Sequence, residues 1–343
     1  MPESFLYRQV RERICRDIFT GVFKENESFP PERIMAEQLG VSRVTLRKAL
    51  DSLEEDGIIT RIQGSGNYIQ FNNAGYKGDL GFVALISSTN QTFFNQFLDE
   101  FQKTADENKT MVLFLQKPYG FSIEECIFKL YEKNVHDVVI WPEDVSLDDD
   151  IIRRLRGLGM NMVTFDTMLC TEYVDCAYLD NEHAIRTLYS YVQQQYGPKV
   201  LYIGWDNTDI FSIRQRRSAI QTIAKENATY LRIPWESRMQ INDLMEEIFR
   251  RNMDLIPKVD AIMCENAELS VAAMRTLNSL HIDLPLVSVD DSVKAAQNSV
   301  TVYKQRIDLM ARCVYDCLSQ QNRDGISWRS KCFPIQGELI VRS

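Results

Sequence analysis

Gly40-Val41-Ser42-Arg43-Val44-Thr45-Leu46-Arg47-Lys48-Ala49-Leu50 holds a turn, a helix cap and an amphipathic helix in one uninterrupted stretch. Gly40-Val41 makes the tight turn, and the Ser42 hydroxyl can accept from the exposed amides of a first helical turn. Leu46, Ala49, Leu50 and Leu53 recur on one side of the helix that follows, and Asp56-Gly57 supplies its end. Arg43, Arg47 and Lys48 fall at the edge of this stripe or outside it, with no acidic residue between Leu39 and Leu50. A helix pinned by leucines that presents guanidinium groups near its N-terminus suits the major groove, where arginine donates two hydrogen bonds to a guanine edge.

Working outward, Leu6, Val10, Ile14 and Ile18 step by four and predict a first helix ending near Gly21. Pro30-Pro31-Glu32-Arg33 opens a second short helix reaching Leu39, since proline is tolerated in the first helical turn and not in the interior. Residues 58–62 and 67–71 read as strands around Gln63-Gly64-Ser65-Gly66, a hairpin with a glycine tip. Three helices and a hairpin in this order predict a winged helix-turn-helix over residues 1–71, with double-stranded operator DNA as its partner. A helical bundle with a solvated basic face is the blander alternative, against which the spacing of all these elements counts. The net charge of −9 does not oppose the DNA reading, because phosphate attraction depends on where the cations sit.

Residues 72–79 are polar and glycine-bearing and read as a linker. Over 80–343, strand-like runs such as 82–86, 111–115, 137–140, 162–165, 199–203, 261–264 and 286–289 alternate with helix-length amphipathic segments. That alternation predicts an α/β domain of parallel sheets with helices on both faces. Its length, about 260 residues, is long for one such sheet. Two lobes are expected, one from about 80–178 and 306–330, the other from about 179–304 and 331–343. A cleft between them would collect ligand groups at the carboxyl ends of strands. Asp166, Asn266 and Asp290 follow strands directly, Phe93 and Phe94 follow the first strand, Arg216 lies early in a helix and Trp235 follows a further strand. Carboxylates, an amide and an arginine can pair with sugar hydroxyls while aromatic faces cover the C–H side. Each has a duller role open to it: an Asp after a strand caps the next helix, and Phe or Trp fills a core.

The eight cysteines are scattered, with no C-x-x-C pair and no zinc spacing, and they read as reduced thiols. Cys313 and Cys317 share a helix face but have no third ligand nearby. With His136, His183 and His281 the only histidines, metal and histidine-based catalysis have little material, and no cofactor is expected. No leader-like or bilayer-length apolar run occurs, so a cytoplasmic protein without a membrane partner is expected. Gly157-Leu158-Gly159 precedes a strand instead of following one and is no dinucleotide fingerprint. Two other classes stay open: a carbohydrate-binding enzyme using Asp166 and Asp290 as acid and base, and a DNA-binding protein whose large domain only dimerises.

The N-terminal segment resembles the winged helix-turn-helix of the GntR (gluconate repressor) family. It does so in Leu6-Tyr7-x-Gln9-Val10, Gly21, Phe29-Pro30-x-Glu32-Arg33, Gly40-Val41-Ser42-Arg43-x-Thr45-Leu46-Arg47-x-Ala49-Leu50, Gly57 and Gln63-Gly64-x-Gly66. The resemblance implies operator contacts from Arg33, Ser42, Arg43, Thr45 and Arg47, with the wing at Gly64 entering the minor groove. Lys48 joins them from the charge pattern, and Val44 stands where many members carry a hydroxyl residue.

The remainder resembles the periplasmic-binding-protein-like effector domain of LacI/GalR repressors and ribose-type binding proteins. The matching stretches include Thr92-Phe93-Phe94, Val163-Thr164-Phe165-Asp166, Ser212-x-x-x-Arg216, Asp260-Ala261-Ile262-Met263-Cys264-Glu265-Asn266, Val287-Ser288-Val289-Asp290-Asp291 and Thr301-Val302-Tyr303-Lys304-Gln305. It implies sugar contacts from Phe93, Phe94, Asp166, Arg216, Trp235, Asn266, Asp290 and Gln305. Ala267 and Ala219 depart from the usual Asp and Gly. Together the two resemblances are similar to arabinose-repressor-type hybrids. They imply a homodimeric repressor whose operator affinity is controlled by a monosaccharide bound between the lobes. The LacI hinge helix is absent, so coupling is expected to run through the short linker.

Overall fold

The computed structural model describes residues 3–71, 78, 80–88, 92–143 and 145–342. The linker expected at 72–79 therefore lies outside the described residues apart from Gly78. Helices α1 (Glu3–Phe19), α2 (Glu32–Leu39) and α3 (Arg43–Glu55) are followed by the antiparallel hairpin β1 (Ile59–Ile62) and β2 (Gly66–Ile69). The α1 helix packs on α3, and Val10, Ile14, Ile18, Leu46, Ala49, Leu50 and Leu53 form their shared core. Gly40 ends α2 at φ 65°, a left-handed conformation that lets the chain reverse into α3. Gly64 and Gly66 hold φ 78° and 119° at the hairpin tip.

The larger part begins with β3 (Phe82–Ser87), α4 (Thr92–Glu107), β4 (Met111–Gln116), α5 (Ile123–Tyr131), β5 (Asp137–Trp141), α6 (Asp149–Gly157), β6 (Asn161–Phe165) and β7 (Asp175–Leu179). It continues through α7 (Asn181–Gln195), β8 (Val200–Asp206), α8 (Phe211–Ala224), β9 (Ala228–Pro234), α9 (Ile241–Arg251), β10 (Ala261–Cys264), α10 (Ala267–Ser279) and β11 (Leu286–Val289). The last elements are α11 (Val293–Gln297), β12 (Thr301–Lys304), α12 (Ile307–Asp324), β13 (Cys332–Ile335) and β14 (Glu338–Ile340). Strands form two six-stranded sheets, ordered β13-β7-β6-β5-β3-β4 and β14-β12-β11-β10-β8-β9. The orders are the same once β3 is matched to β8, so the domain repeats one doubly wound plan. Every residue of β5 and β6 is buried, which is why those strands read as unbroken apolar runs.

The chain divides into two compact units, residues 1–177 with 310–333 and residues 178–309 with 334–343. The second and third passages between units fall at 309/310 and 333/334, a few residues later than the sequence pattern suggests.

Inside the first unit, the winged helix is seated directly on the first sheet domain. Phe19 of α1 stacks on Phe128 of α5 with ring centroids 4.4 Å apart. Arg11 donates to Asp56 at 2.6 Å and to the Tyr131 hydroxyl at 3.3 Å, and Cys15 Sγ lies 3.2 Å from that hydroxyl. Arg16 pairs with Glu132, Arg153 of α6 pairs with Glu25, and Arg154 Nε donates to the Phe19 carbonyl at 3.0 Å. The linker is thus not the sole connection. No periodic pattern marks this seam, since arginines on α6 look like any solvated helix face.

At the end of α6, a Cβ on Gly157 would lie 2.2 Å from the Phe71 ring. Gly157→Ala should therefore destabilise the protein by about 1–3 kcal/mol through overpacking. Adding Phe71→Ala should remove most of that cost, so that denaturant unfolding of the two single variants and the double variant is clearly non-additive. Additive losses would show that the ring does not pack there.

Candidate functional site

The residues expected from the sequence to contact DNA sit on α2, α3 and the hairpin. Ser42 caps α3, its Oγ accepting from Thr45 N at 3.1 Å and lying 2.8 Å from Thr45 Oγ1. Thr45 is buried, so these two hydroxyls are turned to each other at the helix start. Arg43, Arg47 and Lys48 are exposed on the opposite face. Arg47 is braced across the turn by Glu32 at 2.8 Å, and Arg33 reaches Glu37 at 3.0 Å. Such exposed pairs contribute little to stability. Arg61 was not singled out from the sequence; it ties the hairpin to α3 through Asp51 at 2.7 Å and to Asn67 at 3.1 Å. Its signal was only a basic residue in a strand.

In the second unit, four polar residues form a connected chain. Arg216, 3% exposed, donates to Asn181 Oδ1 at 2.8 Å, to the Glu265 carbonyl at 2.9 Å and to Asp290 Oδ2 at 3.4 Å. Gln305 Nε2 donates to the other oxygen of Asp290. Its own Oε1 is buried with no hydrogen-bond partner among the described residues, an acceptor awaiting a donor. Asp290 holds φ 69° and its amide donates to the Tyr303 carbonyl at 2.9 Å. In the first unit Asp166 does the same: φ 57°, with its amide on the Ala177 carbonyl at 2.8 Å. The two aspartates end equivalent strands, β6 and β11, in a conformation that L residues seldom adopt.

The remaining residues divide by role. Phe93 is half-buried and packs 5.9 Å from Trp141 and 6.4 Å from Phe165. Phe94 is fully buried, stacked on Trp141 at 5.4 Å, and belongs to the core. Adjacent helical residues point about 100° apart, so Phe93 and Phe94 do not share a direction. Asn266 caps α10 through Leu269 N at 3.0 Å, which leaves its amide nitrogen for other use. Trp235 meets Trp205 edge-on at 5.4 Å and carries the Arg238 guanidinium 4.5 Å over its ring.

Two contributors went unrecognised in the sequence, Asn181 and Glu265. Glu265 is fully buried and accepts from Trp205 N at 2.9 Å and the Tyr202 hydroxyl at 3.1 Å. Burial pushes its carboxyl up to about 7, against the pull of those hydrogen bonds and of Arg216. Its place at the end of β10 was the available signal. Elsewhere, a cavity of about 420 Å³ lies at the seam of α1, α3 and α5, lined by Arg8, Arg11, Tyr131 and Glu132 among others and away from the strand ends. Among the described residues no group of three or more His, Cys, Asp or Glu could hold a metal, and no helix is long and apolar enough to cross a membrane.

Residues 6–69 match the family described as bacterial regulatory proteins, gntR family, and residues 78–312 match periplasmic binding proteins and sugar binding domain of LacI family. Over 65 residues the chain is 45% identical to the HTH-type transcriptional regulator SmoD of Agrobacterium fabrum, covering 19% of this chain and 28% of the relative. It is 42% identical over 67 residues to a probable fructoselysine utilization operon transcriptional repressor of Escherichia coli, covering 20% and 28%. The chain thus spans under a third of the length of these relatives, through its N-terminal segment. A transcriptional regulator CelR–cellobiose complex is similar in fold, with TM-score 0.60, 17% identity and coverage of 92% of this chain and 99% of that one. A periplasmic binding protein/LacI transcriptional regulator from Alkaliphilus metalliredigens complexed with D-xylulofuranose has TM-score 0.62, 15% identity and coverage of 77% and 98%.

The raised Glu265 carboxyl has a consequence for stability. A group that binds its proton more tightly when folded stabilises the fold below its unfolded value and loses that contribution as pH rises through its folded value. Stability of the second unit should therefore fall between about pH 4.5 and pH 7, by up to a few kcal/mol. Glu265→Gln should flatten that part of the profile in denaturant unfolding, and an unchanged slope would contradict the assignment.

Proposed function

The chain belongs to the family of periplasmic binding proteins and LacI-type sugar-binding domains, with a gntR-type domain in its N-terminal segment. We propose that it is a cytoplasmic, sugar-controlled transcription regulator of the repressor type. The observation that carries the reading is the second-unit chain Asn181–Arg216–Asp290–Gln305, with a buried, unpartnered acceptor at Gln305 Oε1. Neutral sugar hydroxyls are donors and acceptors at once, and they fit an aspartate held from both oxygens beside an open amide oxygen. Asn266 and Trp235 extend the set, and Phe93 and Asp166 supply its counterpart in the first unit. A monosaccharide that such a set holds more tightly in one conformation than in another shifts the equilibrium between them, and only such differential binding can do so. The ligands in the titles of the fold relatives, cellobiose and D-xylulofuranose, support a carbohydrate.

On the DNA side a homodimer reads two-fold-related half-sites, since one recognition helix covers too few bases to select a site. Arg33, Arg43, Arg47 and Lys48 face the duplex, Ser42 and Thr45 set the helix start, and the wing at Gly64 follows the minor groove. Coupling runs across the seam of α1 with α5 and α6. No observation favours the enzymatic or the purely dimerising alternative.

Asp290→Ala should abolish the sugar-dependent change in operator affinity while leaving affinity in the absence of sugar intact. The sugar is found by thermal-shift screening of pentoses, hexoses and their phosphates, since a ligand of the native state raises its melting temperature. Fluorescence anisotropy with labelled operator then reads the coupling, about 5–150-fold in the parent. A variant responding to the same sugar at the parent's concentration would sink the site.

Arg154→Ala removes the hydrogen bond from α6 to the Phe19 carbonyl. We expect it to retain operator and sugar binding but to reduce the factor by which one changes the other. Undiminished coupling would move the route elsewhere.

A further inference from the structure

Val44 is 61% exposed, the one large apolar side chain that α3 presents to solvent among the described residues. The buried stripe of α3 is Thr45, Leu46, Ala49, Leu50 and Leu53. At about 100° per residue, Val44 lies about 170° from the middle of that stripe, at the centre of the outward face. Arg43, Arg47 and Lys48, all exposed, surround it. Ser42 and Thr45, its hydroxyl-bearing neighbours, are occupied with each other at 2.8 Å. The middle of the first turn is therefore a methyl-bearing patch inside a ring of cations.

A valine cannot bind phosphate and cannot hydrogen-bond a base edge. The major-groove group that it complements is the C5-methyl of thymine, the one apolar feature displayed there. Resting on the DNA-reading assignment above, we propose that Val44 is a specificity-determining residue that selects a thymine in each operator half-site by packing on its methyl group. The neighbouring arginines then serve guanine edges or phosphates on either side of that base. The exposed surface of Val44 is covered only in the complex, so the contact contributes to binding and not to folding.

The test uses the full chain and a high-affinity duplex selected from a randomised library. Each thymine of a half-site is replaced in turn by uracil, which removes the methyl and nothing else, and affinities are measured for the parent and for V44A. We expect one position per half-site at which uracil weakens the parent about three- to fivefold, with V44A weaker by a similar factor and insensitive to uracil at that position. V44A should melt close to the parent, because most of the side chain is exposed in the free protein. Operator binding that Arg43→Ala weakens, with no uracil effect erased by V44A, would overturn the Val44 inference and leave the DNA-reading assignment standing. Failure to select any duplex would overturn both.

Discussion

Arg156 is a guanidinium taken almost wholly out of water, 5% exposed, and it holds together several elements of the first unit. Its Nη1 donates to the Met160 carbonyl, to Asn161 Oδ1 at 3.0 Å and to Gln321 Oε1 at 2.6 Å. Gln321 passes the connection to Asp175 at 2.6 Å, and Asn161 passes it to Asp137 at 2.9 Å. Trp328 lies flat under the guanidinium at 4.0 Å while its ring nitrogen donates to Asp175. Desolvation pulls Arg156 down to about 10 and pushes Asp137 up to about 6, so each charge here depends on the others. Breaking such a set leaves an uncompensated buried charge, which is far more costly than the set is stabilising.

That constraint fixes α6. Within five residues the helix carries Arg153 and Arg154 toward the winged helix, Arg156 into the sheet, and Gly157 under Phe71. On the inner side the network reaches Asp175 and Lys331, each two residues from a passage between the units. The helix on which the winged helix is seated is therefore tied, through one buried network, to chain that lies two residues from two of the passages between units.

What the residues announced and what they concealed follow from the range of the interactions. The winged helix was legible because its signals are local: a serine cap three residues from its amide, a leucine stripe, glycines at positive φ. The sheets were legible because burial on both faces makes runs such as 137–141 uniformly apolar. Asp166 and Asp290 stood out as carboxylates directly after strands, but the positive φ that they share is a property of the fold. Phe94 misled because sequence adjacency to Phe93 says nothing of direction on a helix. Glu265 and Asn181 were hidden by having partners 60 and 35 residues away in Trp205 and Arg216, and the seam between α1 and α6 by contacts more than 100 residues apart.

The composition of that seam bears on what it can do. One aromatic stack contributes about 0.5–1.5 kcal/mol beyond its buried area, and half-exposed ion pairs such as Arg153–Glu25 and Arg16–Glu132 contribute about 0–1 kcal/mol each. A seat built from such terms is of the same size as a typical coupling energy between sites, about 1–3 kcal/mol. A large apolar interface would hold the winged helix in one orientation whatever happened beneath it, and a free tether would convey nothing. Polar contacts around one aromatic stack sit between these limits, so a change of about 1–3 kcal/mol is enough to alter how firmly α1 is seated on α5 and α6.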